Sequence, residues 1–228
     1  MLKKILSLVA IAFVAFAVIG AMMTFTGAIM HKSVLLLCLF MAVVLVLVAM
    51  FIDLKKASDD ITKKKTLNFW LKFLFAIYCV FVVLILFFYG NYRNTFSKMN
   101  IALFSKEYFE MCNFVPFATI IKYIEKWQEG RLALSTAVEN IAVNIVLFMP
   151  MGFFFATILK KINNFGKFLG CILAMIVFAE AVQLVTMCGI FDVDDIILNL
   201  FGAVIAYLIS KTNTVKNALD QITRIKIK

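Results

Sequence analysis

The stretch FLGCILAMIVFAEAVQLVTM, residues 168–187, decides the fold class, because it is 20 residues long and carries one charged side chain, Glu180. An α-helix needs about 20 apolar residues to cross the hydrocarbon core of a bilayer. Five further apolar stretches occur, at residues 5–30, 33–52, 69–89, 137–159 and 196–210. A transmembrane β-barrel would instead show alternating segments of about ten residues. The sequence therefore predicts an all-α, polytopic bundle of six transmembrane helices.

The composition of the whole chain supports this prediction. Of the 228 residues, 64% are apolar and 16% are charged, and the mean hydropathy is +1.01. A soluble fold of this size could not bury so much apolar surface. The composition excludes a soluble enzyme, a disordered chain, a coiled coil and a disulfide-rich secreted domain.

The first apolar segment has some features of a signal peptide. Lys3 and Lys4 precede an apolar run that contains Ala15-Phe16-Ala17, a pattern seen before signal cleavage sites. The apolar run continues past Met23. This length favours a helix that is retained in the membrane.

The distribution of basic residues predicts the direction of the spans. If the N-terminus is cytoplasmic, 16 of the 23 Lys and Arg residues fall in inner segments and 7 in outer segments. Cytoplasmic loops of membrane proteins carry such an excess, so we expect both termini in the cytoplasm. The net charge of +10 is then explained by topology and by contact with anionic lipid headgroups. We expect no nucleic-acid partner.

The longest outer segment, residues 90–136, contains an amphipathic pattern. Apolar residues recur there at helical spacing, at Phe117, Ile120, Ile121, Ile124 and Trp127. Charged residues occupy the opposite face, at Lys122, Glu125, Lys126 and Glu129. The pattern predicts a helix that either lies on the outer membrane surface or packs on the ends of the spans.

Polar side chains inside the last three spans are the candidate functional residues. A central charge in a bilayer costs about 3 kcal/mol on insertion scales, so these residues need a partner, a cavity or a ligand. The candidates, which share helix faces in pairs and lie in the outer half of the bilayer, are Asn140, Asn144, Glu180, Gln183, Asp192, Asp194, Asp195 and Asn199. They predict a polar pocket open to the outer leaflet.

Two readings of these residues stay open. Asn140, Asn144 and Gln183 favour interhelical hydrogen bonding, whereas Glu180 and Asp195 favour function. No Lys, Arg or His lies in the last three spans. Glu180 is therefore protonated, hydrogen-bonded by amides or faced by a cation, and Arg131 is the nearest cationic partner by sequence.

The sequence predicts no metal site and no cofactor. His31 is the single histidine, and the carboxyl groups of Glu180, Asp192, Asp194 and Asp195 have no calcium-loop spacing. Walker and nucleophile-elbow motifs are missing from the sequence. In the fourth span, Pro150 takes the helical donor from the carbonyl of Val146 and predicts a kink.

Four short motifs occur in a fixed order along residues 69–210. They are NFVPF at 113–117 with Thr119-Ile120, NIVLFMPMGF at 144–153, Glu180 with Gln183, and FDVDDIILN at 191–199 with Gly202 and Tyr207. Together they resemble the VanZ-like membrane family. The motif residues that carry a structural role by this resemblance are Asn113, Pro116, Phe117, Pro150, Gly152 and Gly202. Many members have an Arg shortly before the Asp motif, where this chain has Cys188-Gly189-Ile190.

The resemblance implies a bacterial plasma-membrane protein of the cell envelope, linked to lowered susceptibility to teicoplanin-type glycopeptides. It also predicts the domain organisation. Residues 67–211 would form a four-helix core, preceded by a two-helix extension with a basic cytoplasmic loop, 1–66, and followed by a basic tail, 212–228.

Four functions compete at this stage. The leading one is binding of an amphiphile in the outer leaflet, either a membrane lipid, a lipid-linked wall precursor or the acyl tail of a lipoglycopeptide. The second is an enzyme acting on lipid headgroups, with Glu180 and Asp195 as acid and base. A small transporter or flippase would use Glu180 as a proton or cation site. A structural subunit of a larger complex is the fourth.

Overall fold

The computed structural model describes residues 32–89, 101–159, 162 and 164–223, together with five helical positions between Val9 and Ala15. Within these ranges the chain is mainly α-helical and forms no strand. Its one isolated β-bridge there joins Asn113 and Asp192. The predicted all-α fold is confirmed.

Eight helices occur in the described ranges. They are α1 (Lys32–Lys56), α2 (Asp60–Leu84), α3 (Lys106–Met111), α4 (Ala118–Gln128), α5 (Leu134–Thr157), α6 (Phe165–Thr186), α7 (Val193–Ser210) and α8 (Asn213–Thr223). Helix α2 continues into a π-helix, Ile85–Tyr89.

Five of these helices, α1, α2, α5, α6 and α7, are long and apolar enough to cross a membrane. They correspond to the second to sixth predicted spans. The first predicted span, residues 5–30, lies outside the described residues except for the five helical positions. Helix α7 begins at Val193, three residues before the apolar segment by which it was predicted, because Asp194 and Asp195 belong to its first turn.

The chain divides into two compact units, Met1–Tyr89 with Lys211–Lys228, and Gly90–Ser210. The domain boundaries predicted from the resemblance stay a prediction. In the first unit, α1 packs against α2 around Ala42, Val46, Ala49, Trp70 and Ile77. Small residues on α1 leave room for the large indole of α2, in keeping with the close packing of protein interiors.

A polar contact joins the same two helices. The buried indole Nε1 of Trp70 donates a hydrogen bond to Oδ2 of Asp53 at 3.0 Å. A buried indole N–H needs such an acceptor. At the start of α2, Asp59 accepts hydrogen bonds from Thr62 N at 2.8 Å and Thr62 Oγ1 at 2.7 Å, which lower the pKa of its carboxyl.

In the second unit, two glycines allow α5 and α7 to pack backbone against backbone. A Cβ atom on Gly152 of α5 would overlap the carbonyl oxygen of Ala203, and one on Gly202 of α7 would overlap the carbonyl oxygen of Ile145. Small residues permit this approach between membrane helices. Pro150 lies within α5, which continues to Thr157, and the kink stays a prediction.

Replacing either glycine by alanine should separate α5 from α7. The overlapping atoms are backbone atoms and cannot rotate away, so we expect Gly152→Ala and Gly202→Ala each to cost about 3 kcal/mol, the upper part of the range for overpacking. Gly170→Ala in α6 is the matched control, because a Cβ there meets nothing within 4 Å. Thermal unfolding of the purified protein in detergent measures the effect, and equal melting temperatures for the three variants would contradict it.

Candidate functional site

A backbone bridge brings two distant segments together at the start of α7. The N–H of Asn113 donates to the carbonyl of Phe191 at 2.8 Å, and the N–H of Val193 donates to the carbonyl of Asn113 at 3.0 Å. Two of the sequence motifs therefore meet, although about 80 residues separate them. This pairing places the loop before α4 beside the first turn of α7.

Asp192 organises this junction with both carboxylate oxygens. Its Oδ1 accepts from Asn113 Nδ2 at 2.7 Å and from the N–H of Asp194 at 2.8 Å, and its Oδ2 accepts from Thr119 Oγ1 at 2.6 Å. The bond from the N–H of Asp194 is that of a helix N-cap, which satisfies a donor that the helix itself leaves unpaired. Asp192 thus caps the N-terminus of α7 and holds the loop in place.

Asp194 is fully buried and caps a second helix. Its carboxylate accepts from the backbone N–H groups of Phe117, of Thr119 at 2.8 Å and of Ile120 at 3.1 Å. These groups open α4, whose own N-cap residue, Phe117, provides no side-chain cap. A negative charge at a helix N-terminus is stabilised by the unpaired N–H groups and by the helix dipole.

The backbone at Phe117 is unusual for a bulky residue. Its φ is 67°, in the left-handed region, where residues other than glycine are uncommon. The bond from its N–H to Asp194 accompanies this conformation. The motif residue Pro116, just before it, is exposed.

Asp195 points to a different neighbour. Its Oδ1 accepts from Nδ2 of Asn144, which joins α7 to α5 near the glycine contact. Asp192 and Asp194 therefore both bind the loop and the start of α4, whereas Asp195 binds α5.

Two acceptor atoms next to this junction have no hydrogen-bond partner within the described part of the chain. They are Oε2 of Glu180 on α6 and Oδ1 of Asn199 on α7. Both residues are buried, with 3% and 2% of their surface exposed. The carboxyl group of Glu180 interacts electrostatically with those of Asp195 and Asp192. Buried acceptors are normally paired, because leaving one unpaired costs about 1–3 kcal/mol.

A model of the VanZ/LLP1 family matches residues 73–215 of the chain. The chain belongs to the VanZ/LLP1 family. The matched region contains α3 to α7 and every residue of the junction described above. No curated protein and no solved structure matched the chain in the same comparisons.

Two residues predicted for the site, Asn140 and Arg131, lie elsewhere in this VanZ/LLP1 protein. Asn140 is exposed and donates to the carbonyl of Thr136, one turn earlier in α5, at 2.9 Å. Arg131 is exposed and pairs with Glu129, so it does not act as the expected partner of Glu180. Gln183 lies against Gly189, where an added Cβ would meet its Nε2 at 3.0 Å.

Two residues that were not predicted as site residues hold the junction together. Thr119 belongs to one of the sequence motifs, but the role of its hydroxyl, a hydrogen bond to Asp192, is visible only in the folded structure. Tyr108 on α3 is fully buried, and its hydroxyl bonds to the carbonyls of Leu184 at 2.9 Å and Gly189 at 3.2 Å. It satisfies carbonyl groups at the C-terminal end of α6, and no periodic pattern in the sequence marks it.

Removing the Tyr108 hydroxyl should destabilise the VanZ/LLP1 core. Tyr108→Phe leaves two carbonyl groups without this donor, and we expect a loss of about 1–3 kcal/mol. Burial, with smaller effects from Cys112 and Cys188, raises the pKa of Tyr108 from 10.0 to about 12. The raised pKa means that the folded state holds the proton more tightly than the unfolded state.

The pH dependence provides an internal control for this prediction. The stability advantage of the wild type over Tyr108→Phe should be complete below pH 10 and should be lost as the pH rises toward about 12. Denaturant titrations of both proteins across this range measure it. An advantage that grows with pH would contradict the assignment of Tyr108 as a donor.

Proposed function

We propose that this VanZ/LLP1 membrane protein acts in a bacterial plasma membrane and lowers susceptibility to teicoplanin-type glycopeptides by binding an amphiphile. The binding site would be the polar cluster of Asn144, Glu180, Asp192, Asp195 and Asn199. Both chain termini would be cytoplasmic, so that the cluster lies in the outer half of the bilayer. The amphiphile would be a lipid-linked envelope precursor or the lipoglycopeptide itself.

The unpaired acceptors of Glu180 and Asn199 carry this proposal. Oε2 of Glu180 and Oδ1 of Asn199 lack donors among the described residues. The ion pairs Lys106–Glu110 and Arg131–Glu129 lie outside the spans. A ligand with N–H or O–H donors would supply what the cluster lacks. Each new bond would remove the cost of a buried unpaired acceptor.

The depth of the cluster favours a ligand with a polar head and an apolar tail. Glu180 lies six residues before the end of α6, which corresponds to about 9 Å along the helix. Asp195 lies in the first turn of α7. In a bilayer whose hydrocarbon core is about 30 Å thick, Glu180 would lie among the upper acyl chains and Asp195 near the head groups. A head group could reach the cluster while its tail stayed in the leaflet.

A second candidate is an enzyme that acts on lipid head groups. The electrostatic interaction between the carboxyl groups of Glu180 and Asp195 favours an enzyme, since two such groups can divide the roles of acid and base. Glu180→Gln separates the candidates. It keeps the shape and a hydrogen-bonding group but cannot transfer a proton, so an enzyme would lose all activity whereas a binding protein would keep part of it.

The proposed orientation predicts which sites a membrane-impermeant thiol reagent reaches. In a variant without the five native cysteines, Lys106→Cys on α3 should react in intact cells. Lys64→Cys on α2 should react only after permeabilisation. Both positions are exposed in the structure, so burial does not explain a difference. Labelling of position 64 in intact cells would reverse the orientation.

The proposed function predicts a selective resistance phenotype. Expression in a susceptible Gram-positive host should raise the inhibitory concentration of teicoplanin more than that of vancomycin, because teicoplanin carries an acyl tail that enters the outer leaflet. Glu180→Ala and Asp195→Ala should express and insert normally but lose the protection. Glu110→Ala and Glu129→Ala are matched controls, since each removes an exposed carboxylate, and both should keep it.

Two results would count against the function. Equal protection against both drugs would separate the action from the acyl tail. Full protection by Glu180→Ala and Asp195→Ala, with membrane levels equal to the wild type, would reduce the cluster to a helix-packing contact.

A further inference from the structure

An exposed row of aromatic rings runs along the segment before α4. The rings of Phe104 and Phe109 lie 6.0 Å apart, those of Phe109 and Phe114 6.5 Å, and those of Phe114 and Phe191 5.1 Å. Phe104 and Phe114 are more than half exposed, at 53% and 55%. A contiguous apolar surface of this kind marks a site of contact with another molecule or with a membrane.

Helix α4, which follows this segment in the chain, carries further exposed apolar residues. Ile121, Ile124 and Trp127, three or four residues apart, are exposed on one face, whereas Lys122 and Glu125 are exposed on the other. Apolar side chains opposite a charged face are typical of helices that lie in the membrane interface. The described parts of the chain cover this face only in part, since Ile121, Ile124 and Trp127 keep 43–51% of their surface exposed.

The position of this segment is fixed by the junction at α7. The bridge between Asn113 and Asp192 holds its middle, and Asp194 holds the start of α4 through three N–H groups. Asp194 stands in the first turn of a helix able to cross the membrane. The segment is therefore attached at the end of a candidate membrane span, at the level where α7 begins.

We infer that residues 104–127 form an interfacial element whose partner is the lipid of the leaflet at which α7 begins. Phe104, Phe109, Phe114, Ile124 and Trp127 lie among the head groups and upper acyl chains, about 5–10 Å into the boundary. Aromatic rings favour this layer because one part is apolar and the ring edge tolerates water. The inference is independent of the ligand and of the resistance function proposed above.

The two tryptophans of the chain permit a direct test. Trp127 lies on the exposed face of α4, whereas Trp70 is buried between α1 and α2. The full-length protein is reconstituted in phosphatidylcholine vesicles whose acyl chains carry bromine either near the carbonyl end or at mid-chain. The emission of Trp127 is the difference between the wild type and Trp127→Phe, and Trp70→Phe gives an independent measurement.

Bromine near the carbonyl end should quench Trp127 more strongly than bromine at mid-chain, and aqueous acrylamide should quench it weakly. Strong quenching by acrylamide without quenching by the brominated lipids would overturn the inference. Protection from both quenchers, together with cross-linking of two chains through α4, would also overturn it, because the surface would then be covered by a second copy of the protein.

A pair of variants tests whether the apolar face itself causes the insertion. Ile124→Lys places a charge on that face and should shift Trp127 from lipid quenching to acrylamide quenching. Lys122→Gln changes the opposite face and should leave both signals unchanged. An unchanged Trp127 signal in Ile124→Lys would contradict insertion through this face. The resistance assay on Glu180→Ala is unaffected by either outcome, so failure here is distinguishable from failure of the proposed function.

Discussion

The carboxylate of Asp194, bound by three backbone N–H groups of another segment, is the interaction on which the second unit depends. It is a charged group without exposed surface, and its burial is tolerated because hydrogen bonds and a helix N-terminus replace water. Through it, a transmembrane helix determines where a surface helix begins. The aromatic row, the Asp192 network and the Asn144–Asp195 contact are all arranged around that point.

The junction and the glycine contact support each other. Gly152 and Gly202 allow the α5 and α7 backbones to touch, and Asn144 then reaches Asp195 across the same interface. Side-chain hydrogen bonds between membrane helices contribute modestly on average. The glycines therefore allow the close approach of α5 and α7, and the polar bond favours one rotational position of the two helices.

Hydropathy alone was sufficient to predict the five described spans, because each is a long apolar run. The amphipathic pattern also placed a helix where α4 occurs. The contacts of the polar residues were harder to predict. Asp194 was grouped with the candidate pocket, but its carboxylate caps α4, since a cap supplied from 75 residues away leaves no local signal. Arg131 was predicted as the partner of Glu180 because of its position in the sequence, but it forms an ion pair with Glu129, two residues away. Tyr108 could not be predicted, because its acceptors are backbone groups whose position depends on the finished fold.

The three acidic side chains at the start of α7 accept hydrogen bonds from different donors. Asp192 holds the loop at Asn113, Asp194 opens α4, and Asp195 reaches α5. Successive residues of a helix point about 100° apart, so adding or removing one residue would turn every carboxylate toward the wrong neighbour. A substitution in this turn removes the hydrogen bonds of one carboxylate, whereas a change in its length would displace all three carboxylates at once. The number of residues between Phe191 and the apolar part of α7 is therefore as strongly constrained as their identity.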